Sequence, residues 1–454
     1  MKKANVKASL FCGLLAVTMA RTTACGSGGD KKSDSPAASG SSSQANKPVE
    51  VTFWHSAAGD AGKALEQIVS DYNSSQTKVH VTAQFQGAYQ DALTKLKVSM
   101  GSKDEPSLIQ VYDVGTRYMV DTKAVAPVQN FIEGEKFDLS SYEAKALSYY
   151  KVNDKLYSMP FNTSVPVLYY NKTMFKDAGL DPEKPPRTFE EIKEAAKKLA
   201  KNDVYGIAIP LDAWYMEQFY AAQGAELVNN GNGRNSPATE SYINKDTGLN
   251  SLSWWKEMID SKTAFNYGRD GNQTLQAFNA GKVAMMLNSS GALRTSVNNT
   301  KGKFEVGVGL FPTSESAKDN FGIITGGASL WIMNDKPEEE QKAAWDFIKY
   351  LSSPKVQAKW SANTGYLPTT KLAYDEKELK DIIAQYPQFQ VGVDELHQSK
   401  ISVATQGAAI GPFTEERNFV AVAVEEALYG KKSPQDALND AAKNIAELLS
   451  KYNK

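Results

Sequence analysis

From residue 49 onward the chain alternates between two hydrophobic periods. Val49-Glu50-Val51-Thr52-Phe53-Trp54 repeats every second residue, as a half-buried strand does, and Val79 to Phe85 (VHVTAQF) does so again. Between them Leu65, Ile68, Val69 and Tyr72 fall on one face of a helix. Leu108-Ile109-Gln110-Val111-Tyr112 is a short apolar run suited to a buried strand. Thr188-Phe189-Glu190-Glu191 is a capping box opening a helix with apolar positions Phe189, Ile192, Ala195, Ala196 and Leu199. Ala344, Phe347, Ile348 and Leu351 form another helical stripe, stopped by Pro354. Ser433-Pro434, with Asp436 in the first turn, starts a last helix carrying Leu438, Ala442, Ile445 and Leu449. Strands alternating with helices predict an α/β protein with mostly parallel sheets.

The first 48 residues follow neither period. Lys2, Lys3 and Lys7 precede an apolar run, Leu10 to Ala20, which is too short to span a bilayer and suits the core of a signal peptide. Residues 1–24 therefore read as an export signal. Cys25 follows it in Thr22-Thr23-Ala24-Cys25-Gly26-Ser27, which resembles a lipobox; acylation of Cys25 would anchor the protein to the outer face of the cytoplasmic membrane. Thr22 and Arg21 depart from the usual lipobox residues, and a cleaved, unanchored export signal is the alternative. Residues 25–48 are Gly/Ser-rich and read as a flexible tether, spanning roughly 25 Å as a coil.

With 454 residues the chain is long enough for two lobes. Its 51 basic and 52 acidic residues give a net charge of −1, and losing the four basic residues of the leader makes it −5. That balance argues against nucleic acid as a partner. Both cysteines, Cys12 and Cys25, lie at the N-terminus, so the body holds neither a disulfide framework nor a cysteine-ligated zinc. The histidines His55, His80 and His397 lack metal-ligand spacing, and no metal or other cofactor is expected. No G-x-S-x-G elbow or phosphate-binding G-x-x-x-x-G-K-[ST] loop occurs. Ser352-Ser353-Pro354-Lys355 matches Ser-x-x-Lys, but Pro354 breaks the helix that motif needs, and it reads as a helix end. A secreted carbohydrate-active hydrolase using paired carboxylates stays open as an alternative, although nothing singles out a pair.

Six collinear segments resemble the family-1 extracellular solute-binding proteins of bacterial ABC importers, in particular those that bind glycerol 3-phosphate. They are Phe53-Trp54-His55-Ser56; Gln110 to Gly115; Pro160 to Asn171; Ala178 to Glu183; Gly326 to Trp331; and Thr364 to Pro368. The resemblance implies a two-lobed periplasmic-binding-protein-like fold with a ligand cleft between discontinuous lobes, 49–160 plus 325–371 and 161–324 plus 372–454. It further implies crossings near Pro160–Asn171, Phe321–Gly327 and Tyr366–Tyr374, hinge closure on the ligand, and delivery to separate ABC permease subunits by a monomeric, non-enzymatic receptor. Its expected ligand is glycerol 3-phosphate or a glycerophosphodiester; a maltose-like oligosaccharide is the alternative within the same architecture.

The resemblance also implies the binding residues. Arg417 matches the phosphate-binding arginine, whose planar fork suits phosphate; the bland alternative is a surface arginine paired within Glu415-Glu416-Arg417. Ser289, after the apolar run Val283–Leu287, and Gly327, through a backbone N–H that a side chain would obstruct, supply further phosphate contacts; helix capping and a strand-entry turn are their ordinary alternatives. Ser164 and Tyr366 offer hydroxyls. Tyr89 and Asp113 match the pair holding the glycerol end, with Asp113 one methylene shorter than the family's Glu. Trp214 matches an aromatic that stacks on the ligand, or is simply a core or rim tryptophan.

Overall fold

The computed structural model describes residues 47–317 and 322–454; the leader, Cys25 and nearly all of the tether lie outside them. The strands are β1 (Val49–His55), β2 (Val79–Phe85), β3 (Leu108–Tyr112), β4 (Val125–Ala126), β5 (Lys151–Val152), β6 (Lys155–Leu156), β7 (Met159–Ser164), β8 (Pro166–Asn171), β9 (Tyr205–Ala208), β10 (Ala264–Phe265), β11 (Val283–Ser289), β12 (Val306–Leu310) and β13 (Gly326–Met333). A first sheet runs β2-β1-β3-β13-β4, with β7 also on β13; a second runs β10-β9-β11-β8-β12; β5 and β6 form a hairpin.

The expected mostly parallel sheets are instead mixed. Each sheet has a parallel βα nucleus, β1 with β2 and β3 in one and β9 with β10 and β11 in the other. Strands arriving from the other sheet run against it: β13 is antiparallel to β3, β4 and β7, and β8 is antiparallel to β11 and β12. Every residue of β7 and β8 is buried, which hides the period-two signal a one-sided strand would display.

Local signals hold where they were read. Leu65, Ile68, Val69 and Tyr72 are the buried face of helix Gly59–Ser75, packed on the first sheet. The Thr188 hydroxyl accepts from the Glu191 N–H at 3.2 Å and Glu191 reaches back to the Thr188 N–H, closing the box on helix Phe189–Leu199. Ser433 caps helix Pro434–Tyr452. Helix Glu338–Leu351 ends at Ser352, and Pro354, at the first helical position where its missing N–H costs nothing, starts helix Pro354–Thr364. Ser352 therefore caps the end of one helix while Lys355 stands on the next.

The chain changes sheet at Val165, between β7 and β8. Thr163 lies at the meeting point of the crossings: it faces Gly327 in the β13 ladder and bridges to Leu367, whose N–H donates to the Thr163 carbonyl at 2.7 Å. The two largest hydrophobic cores among the described residues lie one against each sheet, and a smaller one around Trp54, Ile109 and Trp331 also packs on the first.

Candidate functional site

Backbone geometry at the junction explains its glycines. Gly327 sits at φ +105, and a Cβ there would lie 1.9 Å from the Asn162 carbonyl oxygen. The close approach that demands glycine is thus made by the first crossing strand itself. A Cβ on its neighbour Gly326 would fall 3.0 Å from the Trp214 ring and 3.2 Å from the Ser164 hydroxyl, so these three residues are packed together. Trp214 is half-buried, and its indole N–H has no acceptor among the described residues.

A polar relay runs along the first-lobe wall. The Ser56 N–H donates to the Gln110 side-chain oxygen at 2.8 Å, Gln110 donates to the Asn162 side chain at 2.7 Å, and Asn162 donates to the Tyr89 hydroxyl at 2.7 Å. Tyr89 stacks on Tyr112 with centroids 5.5 Å apart and planes 8° from parallel. Burial, and then the adjoining Tyr366 hydroxyl, push Tyr89 well above the usual phenol range, so it stays protonated and able to donate. Tyr366 stacks on Trp360 at 5.7 Å. Opposite, Ser289 ends β11; its hydroxyl accepts from the Gly291 N–H at 3.1 Å, which is the capping role, while its own proton stays available. Tyr89, Ser289 and Tyr366 line one cavity of about 530 Å³ between the lobes. Close by, His55 is buried between Phe53 and Phe85, and burial lowers it to about 4, so it is neutral and shapes the loop.

Arg417 is not a surface arginine. It projects from helix Phe413–Leu428, packs over the Phe413 ring at 5.3 Å, and is held by carboxylates remote in sequence. Nε and Nη2 donate to the two oxygens of Glu217 at 2.6 and 2.9 Å, and Nη2 also reaches Asp113 at 3.2 Å. The expected local partners do not hold it: Glu415 pairs with Lys97 at 3.7 Å, and Glu416 is fully buried with neither carboxylate oxygen hydrogen-bonded among the described residues, so burial pushes it well up. Burial opposes the Arg417 charge, but Glu217 and Asp113 outweigh it and hold the guanidinium well above its ordinary range. Burial pushes Glu217 up to about 7 and raises Asp113, with Arg417 opposing in both cases. Nη1 makes no hydrogen bond among the described residues, and Arg417 lines a second cavity, about 250 Å³, with Tyr112, Asp212, Arg269 and Thr414.

The eight expected residues are therefore divided. Tyr89, Ser289 and Tyr366 share the larger cavity and Arg417 lines the smaller, whereas Ser164, Gly327, Trp214 and Asp113 line neither; Asp113 bonds Arg417, and Ser164 and Trp214 pack against Gly326. Glu217, Asn162 and Gln110 had not been singled out. Glu217 carried a signal, as the one acidic residue in the largely apolar run Ala213–Ala222.

Residues 67–390 match the family model described as "Bacterial extracellular solute-binding protein". The sn-glycerol-3-phosphate-binding periplasmic protein UgpB of Yersinia pseudotuberculosis is 34% identical over 419 residues, covering 90% of this chain and 94% of its own. Among solved structures, UgpB from Mycobacterium tuberculosis in complex with glycerophosphocholine superposes with a TM-score of 0.77 at 19% identity, over 89% of this chain and 99% of that one. The GacH receptor of Streptomyces glaucescens, solved unliganded and with acarbose, superposes at 0.75 and 22% identity, over 89% and 99%. The fold is thus shared by proteins solved with a phosphodiester and with a sugar-like ligand, whereas sequence likeness lies with the glycerol-phosphate binder. The chain belongs to the bacterial extracellular solute-binding proteins, the non-enzymatic receptors of ABC importers.

Proposed function

We propose that this protein captures glycerol 3-phosphate or a glycerophosphodiester and delivers it to an ABC permease, held at the membrane by an acylated Cys25. The observation that carries this reading is Arg417: a guanidinium fixed by Glu217 and Asp113 at the lobe junction, with Nη1 still available. Arginine bound on one edge and open on the other is preorganised for an oxyanion. The phosphate would take Nη1 together with hydroxyls of Ser164, Ser289 and Tyr366 and the Gly327 N–H, leaving Tyr89 and Asp113 for the glycerol hydroxyls and Trp214 for its carbon face. The relative named for glycerol 3-phosphate, 34% identical along nearly its whole length, supports the same ligand class. We place the hinge where the crossings meet, at Val165, Gly326–Gly327 and Tyr366–Leu367, and the lobes turn about it on closure.

The test is calorimetry on residues 26–454 with glycerol 3-phosphate, glycerophosphocholine and maltose. Micromolar or tighter binding of either phosphate with maltose silent is the expected result. Maltose binding with both phosphates silent would keep the importer role and overturn the ligand. Treating cells with an inhibitor of lipoprotein processing tests the anchor: retention at the membrane despite Cys25→Ala would remove it.

A further inference from the structure

The cavity of about 530 Å³ extends beyond the phosphate anchors, and its lining has a consistent chemistry. Asp60 is its one charged side chain, and Asp60 already sits 3.6 Å from Lys63. The rest of the polar lining is amide and hydroxyl. Several of these groups have capacity to spare. The Ser56 hydroxyl and the Trp360 indole N–H are buried without a partner among the described residues. Asn272 and Thr295 make no side-chain hydrogen bond there, and the Asn288 amide donates only to the Met286 sulfur at 3.9 Å. These groups come from both lobes, so they converge on whatever fills the cleft.

The aromatic rings of the cavity are engaged with protein. Tyr112 covers Tyr89, Phe161 lies 4.9 Å from Trp360, and Tyr366 is pressed between the demands of Trp360 and Gly291, where a Cβ would come within 3.0 Å of the ring. A quaternary ammonium is recognised by a cage of open aromatic faces or an unpaired carboxylate; here Asp60 faces Lys63, and Tyr89, covered on one side by Tyr112, is the one cavity ring with a face clear of the ring contacts among the described residues. Neutral donors and acceptors left without partners are instead what hydroxyl groups satisfy.

Building on the proposed function, we infer that this cavity is a head-group subsite for a glycerophosphodiester whose alcohol is polyhydroxylated, a cyclitol or sugar, and that it discriminates against choline. The phosphodiester lies at the wall formed by Ser289 and Tyr366, and the polyol extends toward Ser56, Asn272, Thr295 and Asn288.

The experiment is calorimetry with glycerophosphoinositol, glycerophosphocholine, glycerol 3-phosphate and free inositol on the mature protein and on an Asn272→Leu/Thr295→Val variant. The wild type is expected to bind the inositol diester at least about tenfold more tightly than the choline diester, with free inositol silent. The variant is expected to lose about tenfold for the inositol diester, as two hydrogen bonds are removed, and to keep its affinity for glycerol 3-phosphate and its melting temperature. Equal or tighter binding of the choline diester overturns the inference, as does an unchanged inositol diester affinity in the variant. In both cases retained glycerol 3-phosphate binding leaves the proposed function standing. Silence of all three phosphates overturns the proposed function and the subsite together.

Discussion

At Arg417 the cleft is ionic and paired on one edge of the guanidinium, which Glu217 and Asp113 hold largely out of water while Nη1 stays open. At the other end, around Tyr366, it is neutral, with hydroxyls and amides that have donors and acceptors to spare. The difference separates two jobs. A buried charge must have its partner before any ligand arrives, because an unpaired one costs several kcal/mol; the ionic end is therefore part of the fold and ties the lobes together. Neutral groups tolerate waiting in water, so the other end can stay open and choose what fills it. Stability should depend on the first end and selectivity on the second.

Removing Arg417 should have the largest effect. Arg417→Ala leaves Glu217 and Asp113 buried without their cation, which should cost about 3–5 kcal/mol of stability in denaturant melts as well as abolishing phosphate binding. Replacing the triad together (Arg417→Met, Glu217→Leu, Asp113→Leu) should recover most of the stability and none of the binding. A triple variant as unstable as the single would show that packing, not charge, holds this end. Next in size is Gly327→Ala, which meets the Asn162 carbonyl and an unfavourable φ at once. It should cost about 1–3 kcal/mol of stability and weaken every ligand equally, since it disturbs the junction of both ends. A ligand-specific effect would assign Gly327 to one end only.

Tyr366→Phe keeps the stacking on Trp360 and removes only the hydroxyl. It should weaken phosphate binding about three- to tenfold, the net worth of one hydrogen bond, with little change in melting temperature. A large stability loss with unchanged binding would reverse the division of labour between the two ends.

The same division explains what could be read from the sequence. Helix faces such as Leu65/Ile68/Val69/Tyr72 and caps such as Thr188 and Ser433 are local, so periodicity and spacing exposed them. The insertion of β13 between β3 and β4 is a pairing of segments more than 200 residues apart, and nothing local distinguishes an antiparallel entrant from a parallel neighbour. The binding residues came from motif resemblance, which named Arg417 but not what holds it. Its partners Glu217 and Asp113 are 200 and 304 positions away, while the sequence set Glu415 and Glu416 beside it as decoys. Asn162 lay inside a recognised motif, yet its role as the link between Gln110 and Tyr89 needed coordinates.

The smallest effect expected is on pH dependence, and it isolates the ionic end. Burial raises Glu217 to about 7, so the folded protein favours its protonated form relative to an ordinary glutamate. That contribution to stability is full below the ordinary pKa and is lost as pH rises through about 7. An anion arriving beside Arg417 disfavours the Glu217 carboxylate further, so binding should take up protons and weaken as pH increases. A phosphodiester keeps one charge across this range, which removes the ligand's own titration. If binding raises Glu217 by one unit, diester affinity should fall about fivefold between pH 6 and pH 8, and Glu217→Gln should flatten the profile. Ligand groups confined to the neutral end would leave that profile flat in the wild type as well, so a flat wild-type curve would detach the phosphate from Arg417 and move it to the hydroxyls of Ser289 and Tyr366.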